Sequence, residues 1–397
     1  MTESAKRICI LGGGFGGLYT ALRLNSLPWR TQGAVEIVLI DQRDRFLFAP
    51  LLYELVTGEL ATWEIAPSYS ELLADTRIRF IQTTVEAVNQ GEKQVQLGSG
   101  EILTYDRLVL AVGGETPMDM VPGAAAHALT FRTVEDAQRL QERLRALETT
   151  EADKIRVAIV GGGYSGVELA CKVADRLGDR GRVRLVERAD DILQTSAEFN
   201  RKAARDALSE RGIWLDLDTT VDRIAADTLT LTYHDQSDEL PVDIVLWTVG
   251  TRVVPLLNTM DLPRNERQQI QVEPTLQVTG HPDIYALGDL ADCQDATGQQ
   301  VPTTAQSALQ QADYAGWNLW AALSDRPQLP FRYQHLGEMM ALGVENATLT
   351  GLGLKLDGPL AHVARRLTYL YRMPTLDHQI RVGLNWIQQP LRDWLSV

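Results

Sequence analysis

Two stretches of the chain share the same order of apolar, glycine and acidic positions. Each begins with a short apolar run, RICIL at 7–11 and RVAIV at 156–160, of the kind found in buried parallel strands. Glycines follow, and apolar residues then recur at helical spacing. A second apolar run, EIVLID at 36–41 or VRLVE at 183–187, ends in an acid. The pattern predicts an α/β protein with two Rossmann-like units.

The glycines of both stretches have the G-x-G-x-x-G spacing of a dinucleotide site. The first glycine permits a tight turn, the second lets the backbone approach a pyrophosphate, and the third packs helix against strand. The phosphate then lies at the positive end of the helix. The acid that closes the second strand can accept hydrogen bonds from ribose hydroxyls. The predicted sites are Gly12, Gly14 and Gly17 with Asp41, and Gly161, Gly163 and Gly166 with Glu187.

Composition excludes several other classes of protein. With 45% hydrophobic and 23% charged residues among 397, the chain is long enough for two or three globular domains. Its net charge of −14 argues against a nucleic-acid partner. Cys9, Cys171 and Cys293 are scattered, which predicts neither a disulfide framework nor a metal site. With no signal peptide or spanning run apparent, we expect a location on the cytoplasmic side.

The C-terminal segment is basic and amphipathic. Residues 358–397 contain five Arg and two Asp. Apolar residues at helical spacing predict two stripes, formed by Leu360, Val363, Leu367 and Leu370 and by Ile380, Leu384, Ile387, Leu391 and Trp394. We expect Arg365, Arg366 and Arg372 to flank the first stripe. Periodicity alone leaves open whether such helices lie on a membrane or pack on the core or on a second subunit.

Three further segments end a strand in a small-residue turn: TYDRLVLAVGG at 104–114, VDIVLWTVGT at 242–251 and DIYALGDLADC at 283–293. The order of these segments and of the two G-x-G-x-x-G motifs resembles the order found in two-domain flavoproteins of the glutathione-reductase type. The resemblance implies that the first site binds FAD and the second NADH or NADPH, and that Asp289 contacts the flavin. The other cofactor-binding residues that it implies are Phe15, Gly16, Ala111, Gly113, Gly250 and Ala305.

The same resemblance predicts the domain boundaries. We expect a discontinuous FAD domain over 1–118 and 275–330, an NAD(P)H domain over 119–274, and a membrane-associated segment over 331–397. Enzymes of this fold that reduce disulfides, and sulfide:quinone reductases, use cysteines near the flavin. The scattered cysteines of this chain argue against both, whereas reduction of a ferredoxin-type partner stays open.

Gln306 and Gln310 in VPTTAQSALQQ (301–311) fall on one face of a predicted helix. Spacing alone would favour polar amides on the surface of the helix. The stretch resembles the quinone pocket of type II NAD(P)H:quinone oxidoreductases, and LAHVARRLTYLYRMP (360–374) resembles their membrane anchor. YELVTGELATWEIAP (53–67) and HLGEMMALG (335–343) resemble the cyanobacterial and plastid branch.

This resemblance implies a peripheral enzyme that does not pump protons. It would transfer a hydride from NADH to FAD and reduce a plastoquinone or demethylphylloquinone type of acceptor. It would lie on the cytoplasmic face of a plasma or thylakoid membrane, and a homodimer is compatible with it.

Five charged or titratable residues add detail to this expectation. The resemblance implies that Glu168 in GVELA reaches toward the nicotinamide and flavin, whereas by position alone it would interact with its helix dipole. Glu187 favours NADH because a carboxylate repels a 2′-phosphate, although Arg188 beside it could accept NADPH. His335 and Glu338 are candidate proton donors, with surface roles equally open.

Overall fold

The computed structural model describes residues 5–29 and 35–395, with the side chains of its last helix described up to residue 388. The helices are α1 (Phe15–Ser26), α2 (Glu54–Thr57), α3 (Thr62–Ile65), α4 (Tyr69–Leu72), α5 (Ala124–His127), α6 (Val134–Glu148), α7 (Tyr164–Leu177), α8 (Glu198–Glu210), α9 (Ala305–Leu323), α10 (Gly358–Arg372) and α11 (Leu376–Leu395).

The strands are β1 (Lys6–Leu11), β2 (Val35–Asp41), β3 (Ile78–Gln82), β4 (Val85–Asn89), β5 (Gln94–Leu97), β6 (Ile102–Thr104), β7 (Arg107–Leu110), β8 (Gly114–Glu115), β9 (Ala128–Leu129), β10 (Ile155–Val160), β11 (Gly181–Val186), β12 (Trp214–Asp216), β13 (Thr219–Ile224), β14 (Thr228–Tyr233), β15 (Gln236–Pro241), β16 (Ile244–Trp247), β17 (Arg252–Val253), β18 (Ile270–Val272), β19 (Gln277–Val278), β20 (His281–Ala286), β21 (Ala291–Cys293), β22 (Glu338–Ala341), β23 (Ala347–Gly351) and β24 (Leu354–Asp357).

The first unit comprises Met1–Leu47, Ala66–Glu115 and Thr251–Gln334. Its main sheet has the order β21-β18-β19-β20-β7-β1-β2-β3, in which β20, β7, β1, β2 and β3 run parallel. The strands are continuous apolar runs because helices and an antiparallel meander, β4–β6, leave neither face to water. Helices α1 and α9 pack against each other. The first glycine turn follows the carboxyl end of β1.

The second unit comprises Phe48–Ile65, Thr116–Gly250 and His335–Val397. Its parallel sheet has the order β12-β11-β10-β16-β9, and the antiparallel meander β13–β15 packs on it through a shared apolar core. The second glycine turn follows the carboxyl end of β10. A third sheet, β22–β24, contacts α7, α8 and α10. The predicted α/β fold with two Rossmann-like units is therefore confirmed.

The unit boundaries differ from the predicted domains most of all in three segments. Residues 251–274 belong to the first unit because β17 pairs with β8 and β18 pairs with β21. Residues 48–65 belong to the second unit, where Glu54 bonds to Arg365. Residues 335–397 are part of the second unit as well, since α10 packs on β23 and β24. These contacts join residues far apart in sequence, so local pattern did not indicate them.

No helix in the described part of the chain is both long enough and apolar enough to cross a membrane.

Candidate dinucleotide and quinone sites

The first glycine turn is closed by backbone contacts that exclude any side chain. Gly12 has a φ of +95°, and a Cβ on it would lie 2.4 Å from the carbonyl oxygen of Ala111. A Cβ on Gly17 would lie 1.8 Å from the carbonyl oxygen of Gly12. At Gly14, in contrast, no heavy atom lies within 4 Å of the corresponding position. The turn thus leaves its middle glycine open to an approaching group, which is what a pyrophosphate requires.

Asp41 holds this turn from the end of β2. Its Oδ2 accepts a hydrogen bond of 2.6 Å from the N–H of Gly13, and its Oδ1 accepts one of 2.8 Å from the N–H of Arg43. The buried hydroxyl of Tyr69 donates to the carbonyl oxygen of Gly13 at 2.8 Å. Because each carboxylate oxygen has two lone pairs, Asp41 is oriented and still has acceptor capacity for ribose hydroxyls.

The second glycine turn repeats the geometry of the first. Gly161 has a φ of +111°, and a Cβ on Gly166 would lie 1.8 Å from the carbonyl oxygen of Gly161. Gly163 again has no heavy atom within 4 Å of a Cβ position. Both turns therefore form a cradle that a side chain would fill, and the residues present fit two dinucleotides.

Glu187 occupies in the second unit the position that Asp41 occupies in the first. Its Oε2 accepts a hydrogen bond of 2.6 Å from the N–H of Gly162, and its Oε1 accepts one of 2.9 Å from the N–H of Ala189. The carboxylate is half-buried, whereas the neighbouring Arg188 is exposed. The carboxylate is thus fixed beside the turn, where the ribose of a dinucleotide would lie.

Asp289 lies in a single 3₁₀ turn after β20, and its side chain is half-buried. The turn is supported by the buried side chain of Gln311, whose Oε1 accepts a 2.8 Å hydrogen bond from the N–H of Gly288. Sequence reasoning missed Gln311, although it lies next to the predicted Gln310. One residue along a helix turns the side chain by about 100°, so Gln311 faces the core.

The other predicted cofactor-binding residues lie where strands end or helices begin. Phe15 and Gly16 open α1, Ala305 opens α9, and Gly113 and Gly250 have positive φ values in the turns after β7 and β16. In the parallel sheet of an α/β unit, ligands bind at the carboxyl ends of the strands. The placement of these residues fits such a site, and their contact with a cofactor stays a prediction.

Gln306 and Gln310 lie one turn apart on α9, as their spacing predicts. The hydroxyl of Tyr333 donates to Gln306 Oε1 at 3.0 Å. Gln310 pairs with the backbone of Gln334, donating to its carbonyl oxygen and accepting from its N–H, both at 2.9 Å. The two amides are therefore oriented by residues 333–334, a partner segment that the sequence did not indicate.

Glu168 lies on α7, and its carboxylate is buried within the second unit. Its Oε1 accepts a hydrogen bond of 2.7 Å from the N–H of Ala341 and lies 3.4 Å from Nη2 of Arg365. Burial raises the pKa of Glu168 to about 7, against the lowering effects of Arg365 and of the Ala341 hydrogen bond. The carboxyl group can therefore gain or lose a proton near neutral pH.

Arg365 is the centre of a buried ionic cluster in the second unit. Its Nη1 bonds to Glu54, its Nη2 donates to the carbonyl oxygen of Pro50 at 2.7 Å, and its Cζ lies 4.9 Å from the ring centroid of Tyr369. Burial alone would raise the pKa of Glu54, but the charges of Arg365 and Lys172 hold it below its ordinary value. The expectation that Arg365 flanks the first stripe is wrong, because its side chain is buried beside the carboxylates of Glu54 and Glu168.

Glu338, a candidate proton donor by its position in the sequence, is held by hydrogen bonds at the start of α8. Its Oε2 accepts hydrogen bonds from Ser196 Oγ at 2.6 Å and from Asn200 Nδ2 at 2.9 Å. Burial opposes ionisation, yet these hydrogen bonds hold the pKa of Glu338 below its ordinary value. The group is therefore a fixed carboxylate that joins β22 to α8.

Helices α10 and α11 expose apolar side chains. More than half of each side chain is exposed for Leu360, Val363, Leu367, Tyr371, Leu376, Ile380, Leu384 and Ile387, a set that we call the apolar stripe. Leu370, predicted to belong to it, is half-buried beside Gly383. Leu391 and Trp394, which complete the second predicted stripe, lie outside the described side chains.

Comparison with known proteins agrees with this geometry. The model of the pyridine nucleotide-disulphide oxidoreductase family matches residues 6–312. The chain belongs to that family. It is 56% identical to the demethylphylloquinone reductase NdbB of Synechocystis sp., covering 100% of this chain and 99% of that one. It is 44% identical to the alternative NAD(P)H-ubiquinone oxidoreductase C1 of Arabidopsis thaliana, covering 98% and 82%.

The solved structure of NDH2 from Plasmodium falciparum in complex with NADH has the same fold, with a TM-score of 0.85 at 17% identity over 97% of this chain and 98% of that chain. These relatives confirm that, within the family, the chain resembles the type II NAD(P)H:quinone oxidoreductases, and the cyanobacterial and plastid branch in particular.

The disulphide chemistry in the name of the family has no counterpart among the cysteines of this chain. Cys9, Cys171 and Cys293 are free and buried. Burial raises the pKa of each thiol to about 12, so each stays protonated and unreactive at neutral pH. The three thiols therefore do not form a disulfide with one another in this structure.

Replacing Arg365 by Met should destabilise the protein by about 3–5 kcal/mol, because it leaves the carboxylate of Glu54 buried without its partner. In the double variant Glu54→Leu/Arg365→Met the carboxylate of Glu54 is removed as well, and Glu168, which also loses Arg365, can bind a proton because its pKa is raised to about 7, so much of that loss should be recovered. Urea unfolding of the wild type, the double variant and the single variants Arg365→Met and Glu54→Leu measures both effects. Lys202→Met, which removes an exposed pair with Asp206, is the control and should leave the midpoint unchanged. Additive losses in the double variant would contradict the buried pair.

The pKa of Glu168 makes stability depend on pH. The folded protein binds this proton up to about pH 7, whereas the unfolded chain releases it near pH 4.5, so stability is lost as the pH rises through this window. Between pH 5 and pH 8 the wild type should lose up to about 3 kcal/mol more than Glu168→Gln. Denaturant unfolding at several pH values tests this. Parallel pH profiles for the two proteins would show that Glu168 titrates normally.

Proposed function

We propose that this chain is a peripheral membrane enzyme that oxidises NADH, contains FAD as its resident cofactor and reduces a membrane quinone. The observation that carries the proposal is the repeated turn, in which Asp41 and Glu187 hold the N–H groups of Gly13 and Gly162 at the same 2.6 Å. One chain with two complete dinucleotide sites is suited to passing a hydride between two cofactors.

Its relatives point to the electron acceptor. The similar proteins of Synechocystis and Arabidopsis are named for the reduction of demethylphylloquinone and ubiquinone, and the first matches this chain over its whole length. We assign a demethylphylloquinone or plastoquinone type of acceptor here. The buried thiols do not favour a disulfide or a sulfide as the partner in electron transfer.

The first unit would bind FAD with its pyrophosphate over Gly14, its adenosine ribose on Asp41 and its flavin portion near Asp289. When bound, FAD supplies the redox chemistry, since it accepts a hydride from NADH and yields two electrons to a quinone. The protein contributes orientation. Gly12 and Gly17 bring the N-terminal end of α1 close to the bound phosphates, and Gln311 fixes the turn that contains Asp289.

The second unit would bind NADH with its pyrophosphate over Gly163 and its adenosine ribose on Glu187. A carboxylate fixed at this position repels the 2′-phosphate of NADPH, so NADH is the preferred donor. Arg188 is exposed next to it and offers NADPH a weaker alternative. Glu168, four residues after the start of α7, would act beside the nicotinamide, and its pKa of about 7 suits proton exchange during turnover.

Gln306 and Gln310 would bind the carbonyl oxygens of the quinone. An amide group has two N–H donors, so Gln310 can keep its bond to the carbonyl of Gln334 and still offer a second hydrogen. Neutral donors suit a neutral quinone because they add no charge to an apolar site. Residues 333–334 fix the orientation of both amides before the quinone arrives.

The apolar stripe would place the enzyme on the cytoplasmic face of a membrane, where its quinone is dissolved. Helix α10 buries His362 and Arg365 and turns Val363 and Leu367 outward. Such exposure of large apolar side chains is costly in water and favourable at a lipid surface. A second copy of the chain is the other surface that could cover the stripe.

Gln306→Leu and Gln310→Leu should each slow quinone-dependent reoxidation of the flavin at least tenfold and leave its reduction by NADH unchanged. Stopped-flow absorbance with NADH and then a water-soluble quinone separates the two half-reactions. Tyr333→Phe is the matched control, since it removes the partner of Gln306 and keeps the amide. Unchanged reoxidation in both glutamine variants would overturn the quinone site. A Tyr333→Phe protein as slow as Gln306→Leu would assign Gln306 a structural role.

Val363→Glu combined with Ile380→Glu should reduce binding to lipid vesicles at least tenfold, because both side chains are more than half exposed within the apolar stripe. Co-sedimentation with vesicles measures the loss. Ile102→Glu changes an equally exposed side chain of the first unit and is the matched control. Vesicle binding unaffected by the double variant, with a change in oligomeric state instead, would show that a second subunit covers the stripe.

A further inference from the structure

One face of the parallel sheet in the second unit carries a cluster of arginines that belong to neither glycine turn. Arg156 on β10 is the register neighbour of Arg182 on β11, and Arg184 is the register neighbour of Trp214 on β12. Residues two apart in a strand point to the same face. Arg156, Arg182, Arg184 and Trp214 therefore share one face, and we call them the arginine face.

The meander β13–β15 covers only part of this side of the sheet. Val160 and Val186, nearer the carboxyl ends of their strands, pack with Leu229 and Leu231 in an apolar core. The arginine face lies at the amino ends of the strands and remains open. Together with Leu229, Leu240, Pro241 and Val242 it lines a groove of about 200 Å³.

The groove is separate from the predicted dinucleotide site. Arg156 is the second residue of β10, and the turn that begins at Gly161 follows the opposite end of the same strand. At about 3.3 Å per residue the two positions lie roughly 16 Å apart along the strand. A molecule in the groove would therefore contact different residues from a dinucleotide.

One of the three arginines in the groove lacks a carboxylate partner among the described residues. Arg184 lies 3.0 Å from Asp216, and Arg156 lies 3.9 Å from Asp243. Within the described residues Arg182 has no carboxylate at ion-pair distance, and its guanidinium donates only to the carbonyl oxygens of Asp179 and Gly181. Like charges side by side on adjacent strands are destabilising. Three guanidinium groups thus line the groove and two of them are paired with carboxylates.

An aromatic platform lies beside these charges. Trp214 is 66% exposed on the edge strand of the sheet, and the guanidinium of Arg184 lies 5.9 Å from its ring centroid. The other wall of the groove is aliphatic, formed by Leu240, Pro241 and Val242. The groove therefore offers cationic donors for an anion together with apolar surfaces for a flat ring.

We infer that the arginine face binds a small organic anion, a phosphate monoester or a carboxylate, that carries an aromatic ring. Its anionic group lies between Arg156 and Arg182, where guanidinium groups bind oxyanions with paired hydrogen bonds. Its ring lies between Trp214 and the aliphatic wall. Binding at this face leaves the dinucleotide site accessible.

Phenyl phosphate is a suitable probe, titrated by calorimetry into the full-length FAD-loaded protein saturated with NAD⁺ so that the dinucleotide site is blocked. Saturable binding is expected, at least tenfold tighter than that of inorganic phosphate. Arg156→Gln/Arg182→Gln should weaken it at least tenfold. Trp214→Ala should weaken phenyl phosphate but not inorganic phosphate. Arg223→Gln, an exposed arginine on β13, is the matched control and should change neither.

A second measurement does not depend on calorimetry. Phenyl phosphate should raise the thermal midpoint of the wild type and leave that of Arg156→Gln/Arg182→Gln unchanged. Without ligand at low salt, the variant should melt at a higher temperature than the wild type, because the repulsion between Arg156 and Arg182 is removed. Equal affinity of the wild type and the arginine variant for phenyl phosphate would overturn the inference. So would binding that is detected only without NAD⁺, since it would belong to the dinucleotide site.

Discussion

A buried guanidinium, that of Arg365, holds together three parts of the second unit that are far apart in sequence. It bonds to Glu54 in the segment 48–65, approaches Glu168 on α7, and belongs itself to α10. Removing such a charge from water costs several kcal/mol unless carboxylates and carbonyls surround it. The cluster can therefore form only when all three segments are in place, which explains why 48–65 and 335–397 belong to one unit.

The ion pair between Arg365 and Glu54 also determines which side chains of α10 are exposed. A surface helix ordinarily buries its apolar side and exposes its charges. In α10 the buried positions include His362 and Arg365, and the exposed ones include Leu360, Val363 and Leu367. Helix α10 has the opposite arrangement, because the charged group of Arg365 has its partners, Glu54 and Glu168, inside the protein. Its apolar side is left exposed, and the proposed attachment to a membrane rests on that exposure.

The two glycine turns share one local geometry, which fits the two dinucleotides proposed for them. In both units an acid at the end of the second strand holds the N–H of the residue after the first glycine at 2.6 Å, and the last glycine touches the carbonyl of the first. The difference lies in support, since the carbonyl of Gly13 accepts from Tyr69 and that of Gly162 accepts from the backbone of Leu193. The turns are thus equivalent in geometry while their surroundings remain free to select different dinucleotides.

The glycine spacing, the apolar strands and the terminal acids are local features, so the fold class, the two turns and the family could be predicted from them. The spacing of Gln306 and Gln310 likewise predicted that they share one side of α9. The contacts of Tyr333 and Gln334 with those amides, the support of the first site by Tyr69 and Gln311, and the burial of Arg365 became evident from the three-dimensional structure. Each of these contacts joins residues distant in sequence. Their energies depend on burial and on a partner at hydrogen-bond distance, quantities that a periodic pattern does not contain.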